Sequence, residues 1–292
     1  MDRKSLRRWL NGDFTLRRLA RSLAEVYVVV LVYAWFFSDG IIFPRHESTY
    51  SDRPDIIKIA TRDGGRISAL YLPNTNATFT ILHSHGNYED LGEIRPELDL
   101  LRRAGFSVFA YDYRGYGTSE GRATERTTYL DAEAAYGYLV HELHVPSDRI
   151  ISHGRSVGAA LALHVAAERD VAGLIMESPF VTAFRVKTVI PLAPFDKFRN
   201  IDVIRRVRCP ILVMHGKADT TIPFWHGQKL FDAAPDPKQC LWVDGAGHDD
   251  LSMVAGSRYW DSIRQFAALI KSHTAQQGNP PPASRTPPGE GN

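Results

Sequence analysis

The sequence predicts an α/β fold: an eight-stranded, mostly parallel sheet with helices on both faces, forming one domain flanked by tails. Three observations lead there. From Ile56 onward, short apolar runs mostly alternate with segments of helical spacing, the pattern of a parallel sheet covered on both sides. The residues directly after those runs are rich in Gly, His, Asp and Ser, as expected where functional groups gather at the carboxyl ends of strands. Gly154-Arg155-Ser156-Val157-Gly158 stands between one such run and a helix-like stretch.

Before that domain come two segments of different character. Residues 1–22 carry Arg3, Lys4, Arg7, Arg8, Arg17, Arg18 and Arg21 against Asp2 and Asp13, a local charge of +5 in a chain whose total is +2. The −3 left for the remainder offers no clustered basic surface, which excludes nucleic acid as a partner. Val26 to Phe37, "VYVVVLVYAWFF", is uninterrupted apolar sequence. Twelve helical residues span about 18 Å, short of a hydrocarbon core of about 30 Å, but Leu23 to Phe43 reaches it. Glu25 and Asp39 then fall near the two interfaces. Ser38-Asp39-Gly40 is a poor small-x-small cleavage site, so residues 23–43 are expected to be an uncleaved anchor. The basic flank keeps the N-terminus cytoplasmic and puts the following domain on the exported side. A helix lying in the interface is the alternative reading.

The domain itself is expected over residues 48–274. Ile56 to Thr61 and Arg66 to Leu72 read as an antiparallel hairpin around Asp63-Gly64-Gly65. Phe79 to Ser84, Ser107 to Tyr113, Ile150 to Ser152, Gly173 to Glu177, Ile211 to Met214 and Leu241 to Val243 complete the eight strands. Helical spacing runs through Ile94 to Ala104, Arg126 to Leu143, Val157 to Glu168, Trp225 to Ala233 and Gly256 to His273. Residues 275–292, "AQQGNPPPASRTPPGEGN", have no apolar periodicity and read as a disordered tail.

A G-x-S-x-G pentapeptide is a weak signal alone. Between a strand and a helix it gains a steric reason, because very small residues two positions either side of the serine let the backbones pass and present the hydroxyl at the top of the sheet. A serine hydroxyl then needs a base, and the base needs a carboxylate to fix its tautomer. His248, in the glycine-rich "DGAGHDDL" after the last strand, is the candidate base. His46, His141, His144, His164 and His273 fall in solvent-facing, loop or helical positions. Asp219, after the penultimate strand, is the candidate acid, with Glu177 after the preceding strand as its rival. Ser156, Asp219, His248 is the chain order that the strand-turn-helix elbow uses. Asp249 and Asp250 are too close to His248 to orient it and read as helix-capping or solvent-facing. Backbone N–H groups of Val157, at the helix start, and Asn87, in "HSHGN", are the expected oxyanion donors. His83-Ser84-His85 resembles a metal pair, but no second ligand cluster accompanies it, and His85 reads as support for its loop. No metal or cofactor is expected.

Five ordered motifs, "LHSHGNYEDLGE", "VFAYDYRGYGTSEGRATE", "GRSVGAAL", "ILVMHGKADTTIPFWHG" and "LWVDGAGHDDL", resemble the α/β-hydrolase superfamily. Within it they are similar to membrane-anchored serine hydrolases of the animal depalmitoylating type. The resemblance covers about Ile56 to His273. It implies an eight-stranded α/β-hydrolase domain with Ser156, Asp219 and His248 as triad, acting on esters or thioesters; some related domains are grouped with serine aminopeptidases. One departure is plain: those depalmitoylases share a cysteine-rich, acylated N-terminus, whereas this chain has no cysteine before Cys209.

The expected activity is cleavage of acyl esters or thioesters of small or lipid-like substrates through an acyl-enzyme. A peptidase of the same fold and a non-catalytic scaffold are the other classes. Residues 179–208 are too few for a large cap; Val181, Phe184, Val189, Ile190, Leu192 and Phe195 either line an acyl channel or cover the sheet. The resembled fold makes the strands after Cys209 and Cys240 parallel neighbours, which puts both cysteines at one sheet edge. A disulfide there is the sharper expectation and two separate thiols the plainer one.

Overall fold

The computed structural model describes residues 16–44 and 47–278. The chain divides into two units, Met1–Pro44 and Arg45–Asn292. Among its described residues the first contains the helix α1 (Leu16–Ile42), of 27 residues. At 1.5 Å per residue it is about 40 Å long, more than a hydrocarbon core requires. Among the described residues it is the one helix long and apolar enough to cross a membrane, by length and composition. It starts seven residues before the anchor expected from Leu23, continuing through Arg17, Arg18 and Arg21; Arg21 Nε donates to Glu25 Oε1 at 2.8 Å. Residues 1–15 of the basic segment lie outside the described residues.

The second unit is built on one eight-stranded sheet: β1 (Ile56–Ala60), β2 (Arg66–Leu72), β3 (Thr80–Ser84), β4 (Ser107–Tyr111), β5 (Ile150–Arg155), β6 (Gly173–Glu177), β7 (Ile211–Gly216) and β8 (Lys238–Val243). Their spatial order is β1-β2-β4-β3-β5-β6-β7-β8. β2 runs antiparallel to β1 and β4, and every pairing from β4 to β8 is parallel. All side chains of β3, β4 and β6 are buried, as in a sheet covered on both faces.

The intervening helices are α2 (Arg95–Arg103), α3 (Glu125–His141), α4 (Val157–Glu168), α5 (Asn200–Val203), α6 (Trp225–Ala233), α7 (Leu251–Ala255) and α8 (Ser257–Gly278). Alternation along the strands feeds two cores. Ile151, Ile175, Leu212 and Met214 pack with Leu98 and Leu101 of α2 and Ile263, Phe266 and Ile270 of α8. Leu174, Met176, Ile211 and Val213 pack with Ala159, Leu163 and Leu230 of α4 and α6. Each such aliphatic or aromatic side chain contributes about 1.5–3 kcal/mol on full burial.

Several boundaries differ from the sequence reading, and the differences matter for the site. β5 continues through Arg155, straight into the serine turn. β8 begins at Lys238 rather than Leu241, and a short helix not expected from the sequence, α7, precedes the last one, with Gly256 at φ 57° separating it from α8. Helix α8 reaches Gly278, four residues into the expected tail; residues 279–292 lie outside the described residues. The disulfide expectation fails: Cys209 and Cys240 are both free. Cys240 is inside β8 and level with Val213, four residues beyond Cys209, an offset of about 13 Å along the strand, where a bridge tolerates a Cα separation of about 7 Å at most. Burial pushes the Cys209 thiol up to about 12.

Candidate active site

Ser156 sits between β5 and α4 with φ 56° and ψ −119°, a region non-glycine residues rarely enter, at a cost of about 1–3 kcal/mol. The flanking glycines explain how this turn closes. A Cβ on Gly154 would lie 2.0 Å from the Gly158 carbonyl oxygen, and a Cβ on Gly158 would lie 2.1 Å from that of Ser84. The elbow therefore brings three stretches of backbone into contact: the end of β5, the start of α4 and the end of β3. Ser156 N–H donates to the Glu177 carbonyl oxygen at 2.9 Å, which fixes the turn against β6 as well.

His248 and Asp219 arrive from the loops after β8 and β7. His248 Nε2 is 3.1 Å from Ser156 Oγ and His248 Nδ1 is 2.8 Å from Asp219 Oδ2, so with a proton on Nδ1 the ring accepts from the serine and donates to the carboxylate. Asp219 Oδ1 accepts the Thr221 and Ile222 N–H groups at 2.9 and 2.8 Å. Burial pushes the Asp219 carboxyl up, but donation from His215, His248 and the Ile222 N–H outweighs it and holds the group far below the usual carboxylate range. Next to His248, Asp250 caps its own loop by accepting the Gly247 N–H at 2.6 Å, and Asp249 is largely exposed.

The loop after β3 passes the same point. Tyr113 Oη donates to the His85 carbonyl at 2.5 Å and Tyr116 Oη to the Asn87 carbonyl at 2.8 Å. His85 is fully buried, stacked on Tyr113 with ring centroids 4.2 Å apart. Its Nδ1 is 2.6 Å from the Gly86 carbonyl and its Nε2 is 3.3 Å from Asp112 Oδ1. Burial pulls its pKa down, and these two acceptors more than compensate, so the net shift is upward. His83, by contrast, turns to His153, with their Nδ1 atoms 2.9 Å apart. The H-x-H pair is thus divided between two different environments, and no group of three or more metal-ligating side chains occurs among the described residues.

Comparison with known proteins gives the family and the fold. Residues 75–198 match the serine aminopeptidase S33 family. Alpha/beta hydrolase domain-containing protein 17B of Homo sapiens is 34% identical over 232 residues, covering 77% of this chain and 78% of that protein. Alpha/beta hydrolase domain-containing protein aho-3 of Caenorhabditis elegans is 35% identical over 237 residues, covering 79% and 70%. The chain belongs to the α/β-hydrolase family. Among solved structures, the Pyrococcus furiosus esterase Pf2001 shares the fold with a TM-score of 0.65 at 20% identity, over 78% of this chain and 98% of that one. A Paleococcus ferrophilus monoacylglycerol lipase does so with a TM-score of 0.55 at 19% identity, over 70% and 98%.

For this α/β-hydrolase the rival acid is accounted for. Glu177 Oε2 accepts from Tyr259 Oη at 2.7 Å on the α8 side of the sheet, not from His248. Sequence reasoning missed His215, whose Nε2 donates to the Ile222 carbonyl at 2.9 Å and lies 3.3 Å from Asp219 Oδ2. Its place on β7, four residues before Asp219, was the available signal. Of the six apolar residues between β6 and β7, Val181 joins the core and Phe184 stacks edge-on against Phe195 at 5.9 Å, whereas Val189, Ile190 and Leu192 are exposed.

Proposed function

We propose that this chain is a serine hydrolase that cleaves acyl esters or thioesters through an acyl-enzyme, with Ser156 as nucleophile, His248 as general base and acid, and Asp219 as the group that orients the imidazole. The observation that carries the reading is the continuous chain Ser156 Oγ, His248, Asp219 at 3.1 and 2.8 Å, with the serine in a strained turn. As Ser156 Oγ bonds to the substrate carbonyl carbon, its proton passes to His248 Nε2, and Asp219 stabilises the imidazolium without taking the proton. The Val157 and Asn87 N–H groups donate to the oxyanion. His248 then protonates the departing alcohol or thiol. Water repeats the sequence on the acyl-enzyme, releasing the acid and returning the proton to Ser156.

The test is turnover of p-nitrophenyl esters of rising chain length, together with fluorophosphonate labelling. Ser156→Ala is expected to abolish both, a loss of about 10⁵ or more in kcat. Turnover that survives this substitution overturns the mechanism. The S33 match over residues 75–198 favours a peptidase as the second reading, which aminoacyl p-nitroanilides address directly. For location, α1 anchors the protein in a membrane with its basic end cytoplasmic and the hydrolase domain on the exported side; the free cysteines remove a disulfide as independent support for that orientation.

A further inference from the structure

We propose that the ion pair between Arg155 and Glu89 is a positioning device of the oxyanion site, clamping the loop that carries the Asn87 N–H against the strand that delivers Ser156. The inference rests on the serine-hydrolase reading above. Arg155 is the last residue of β5 and precedes the nucleophile. Its Nη2 donates to Glu89 Oε1, while the other oxygen of the same carboxylate accepts the Gly86 N–H at 2.7 Å. One carboxylate thereby ties the elbow to the oxyanion loop. The pair is shielded, with side chains 15% and 19% exposed, which sets it apart from surface ion pairs of little energetic consequence.

Peptide planes show what the clamp controls. The plane joining His85 and Gly86 is held at both ends, its carbonyl by Tyr113 Oη at 2.5 Å and its N–H by Glu89 at 2.7 Å. The next plane carries the Asn87 N–H, and its carbonyl, on Gly86, is engaged by His85 Nδ1 at 2.6 Å. In a trans peptide the N–H points opposite to the carbonyl, so these contacts aim the Asn87 N–H. Tyr113 and Tyr116 approach from the β4 side, and His85 acts from within the loop. Glu89 supplies the restraint from the β5 side, and Arg155 carries that restraint to the residue beside the nucleophile. Gly86 is small for the same reason: a Cβ there would lie 2.7 Å from Glu89 Oε2. Arg155 Nη2 also lies 3.8 Å from Asp249 Oδ1, beside His248, and Glu177 and Glu97 add to the acidic surround of the guanidinium. Removing Glu89 therefore releases the loop and leaves Arg155 in place.

The experiment uses the full-length chain in detergent micelles, with Arg155→Met, Arg155→Lys, Glu89→Gln and the double variant Arg155→Met/Glu89→Gln. Glu89→Gln keeps an acceptor for Gly86 while removing the charge. Deleting an oxyanion donor costs about 10²–10³ in rate, and misdirecting one costs less, about tenfold. Each of Arg155→Met and Glu89→Gln is expected to lower kcat for a p-nitrophenyl ester about tenfold with KM within about twofold. Fluorophosphonate labelling should slow in parallel, the double variant should be no worse than the poorer single, and Arg155→Lys should recover part of the loss. A loss confined to KM, additive losses, or kcat within twofold of wild type per folded molecule overturns the proposal. Should Arg155→Met fail to fold, Glu89→Gln and Arg155→Lys carry the same comparison. Wild-type protein that neither turns over esters nor labels at Ser156 overturns the hydrolase reading instead, so the two failures are distinct.

Discussion

Glu177 ends β6 and Asp219 follows β7, so two acids leave neighbouring strands side by side, each with a histidine within 4 Å: His153 Nε2 at 3.9 Å from the first and His248 Nδ1 at 2.8 Å from the second. Their surroundings diverge. Asp219 accepts two backbone N–H groups and faces two imidazoles, and these donors keep it ionised against its burial. Glu177 has Tyr259 Oη as its close donor, and burial raises its pKa despite Arg155 nearby. On the Glu177 side burial drops His153 to about 4 and His83 well below its ordinary value, which favours the neutral imidazoles there. A carboxylate serves a triad when preorganised donors hold its charge, and proximity to a histidine is not enough.

That contrast can be broken in order of effect. Asp219→Asn should lower kcat by about 10⁴, since the amide favours the wrong imidazole tautomer, while Glu177→Gln should leave kcat within about threefold; comparable losses in the two variants would erase the distinction. His215→Leu removes one donor from Asp219 without touching His248, and should cost about tenfold in kcat/KM with KM little changed, read from steady-state ester kinetics.

The smallest effect is one of stability. Glu97, pushed up to about 8 by burial and by the Glu177 charge, starts from an unfolded value of 4.5. With a raised folded value, its contribution is fully favourable below about pH 4.5 and is lost progressively as pH rises toward 8. Glu97→Gln should therefore stabilise the domain at neutral pH by roughly 1–2 kcal/mol, with no gain at pH 4.5, as judged by denaturant unfolding. Equal gains at both pH values would show that burial of the charge is not the cause.

The parts of this molecule legible in the sequence are those where sterics or chain order decide. Gly154 and Gly158 mark the elbow because no other residue lets those backbones meet, and strand alternation places Asp219 and His248 at one end of the sheet. Contacts between charges far apart in the chain carry no such period. Arg155 finds Glu89 across 66 positions, and Tyr259 finds Glu177 across 82, through the order in which strands assemble. The cysteine pairing failed for a related reason. Knowing that β7 and β8 are neighbours does not give their register, and β8 beginning three residues early moved Cys240 out of reach of Cys209.

The two unbridged cysteines are also unequal, because Cys240 is exposed on edge strand β8 while Cys209 is half-buried, with its thiol pushed up to about 12. At neutral pH a maleimide should modify Cys240 ahead of Cys209 in the folded chain, well away from the carboxyl end of the sheet where Ser156 sits. The protein thus carries its own reporter for the membrane topology proposed above: a membrane-impermeant maleimide applied to intact cells, then to opened ones, tests whether the hydrolase domain is on the exported side. The same thiol accepts a fluorophore without any engineered residue, leaving the catalytic chemistry undisturbed while substrate approach is followed by light.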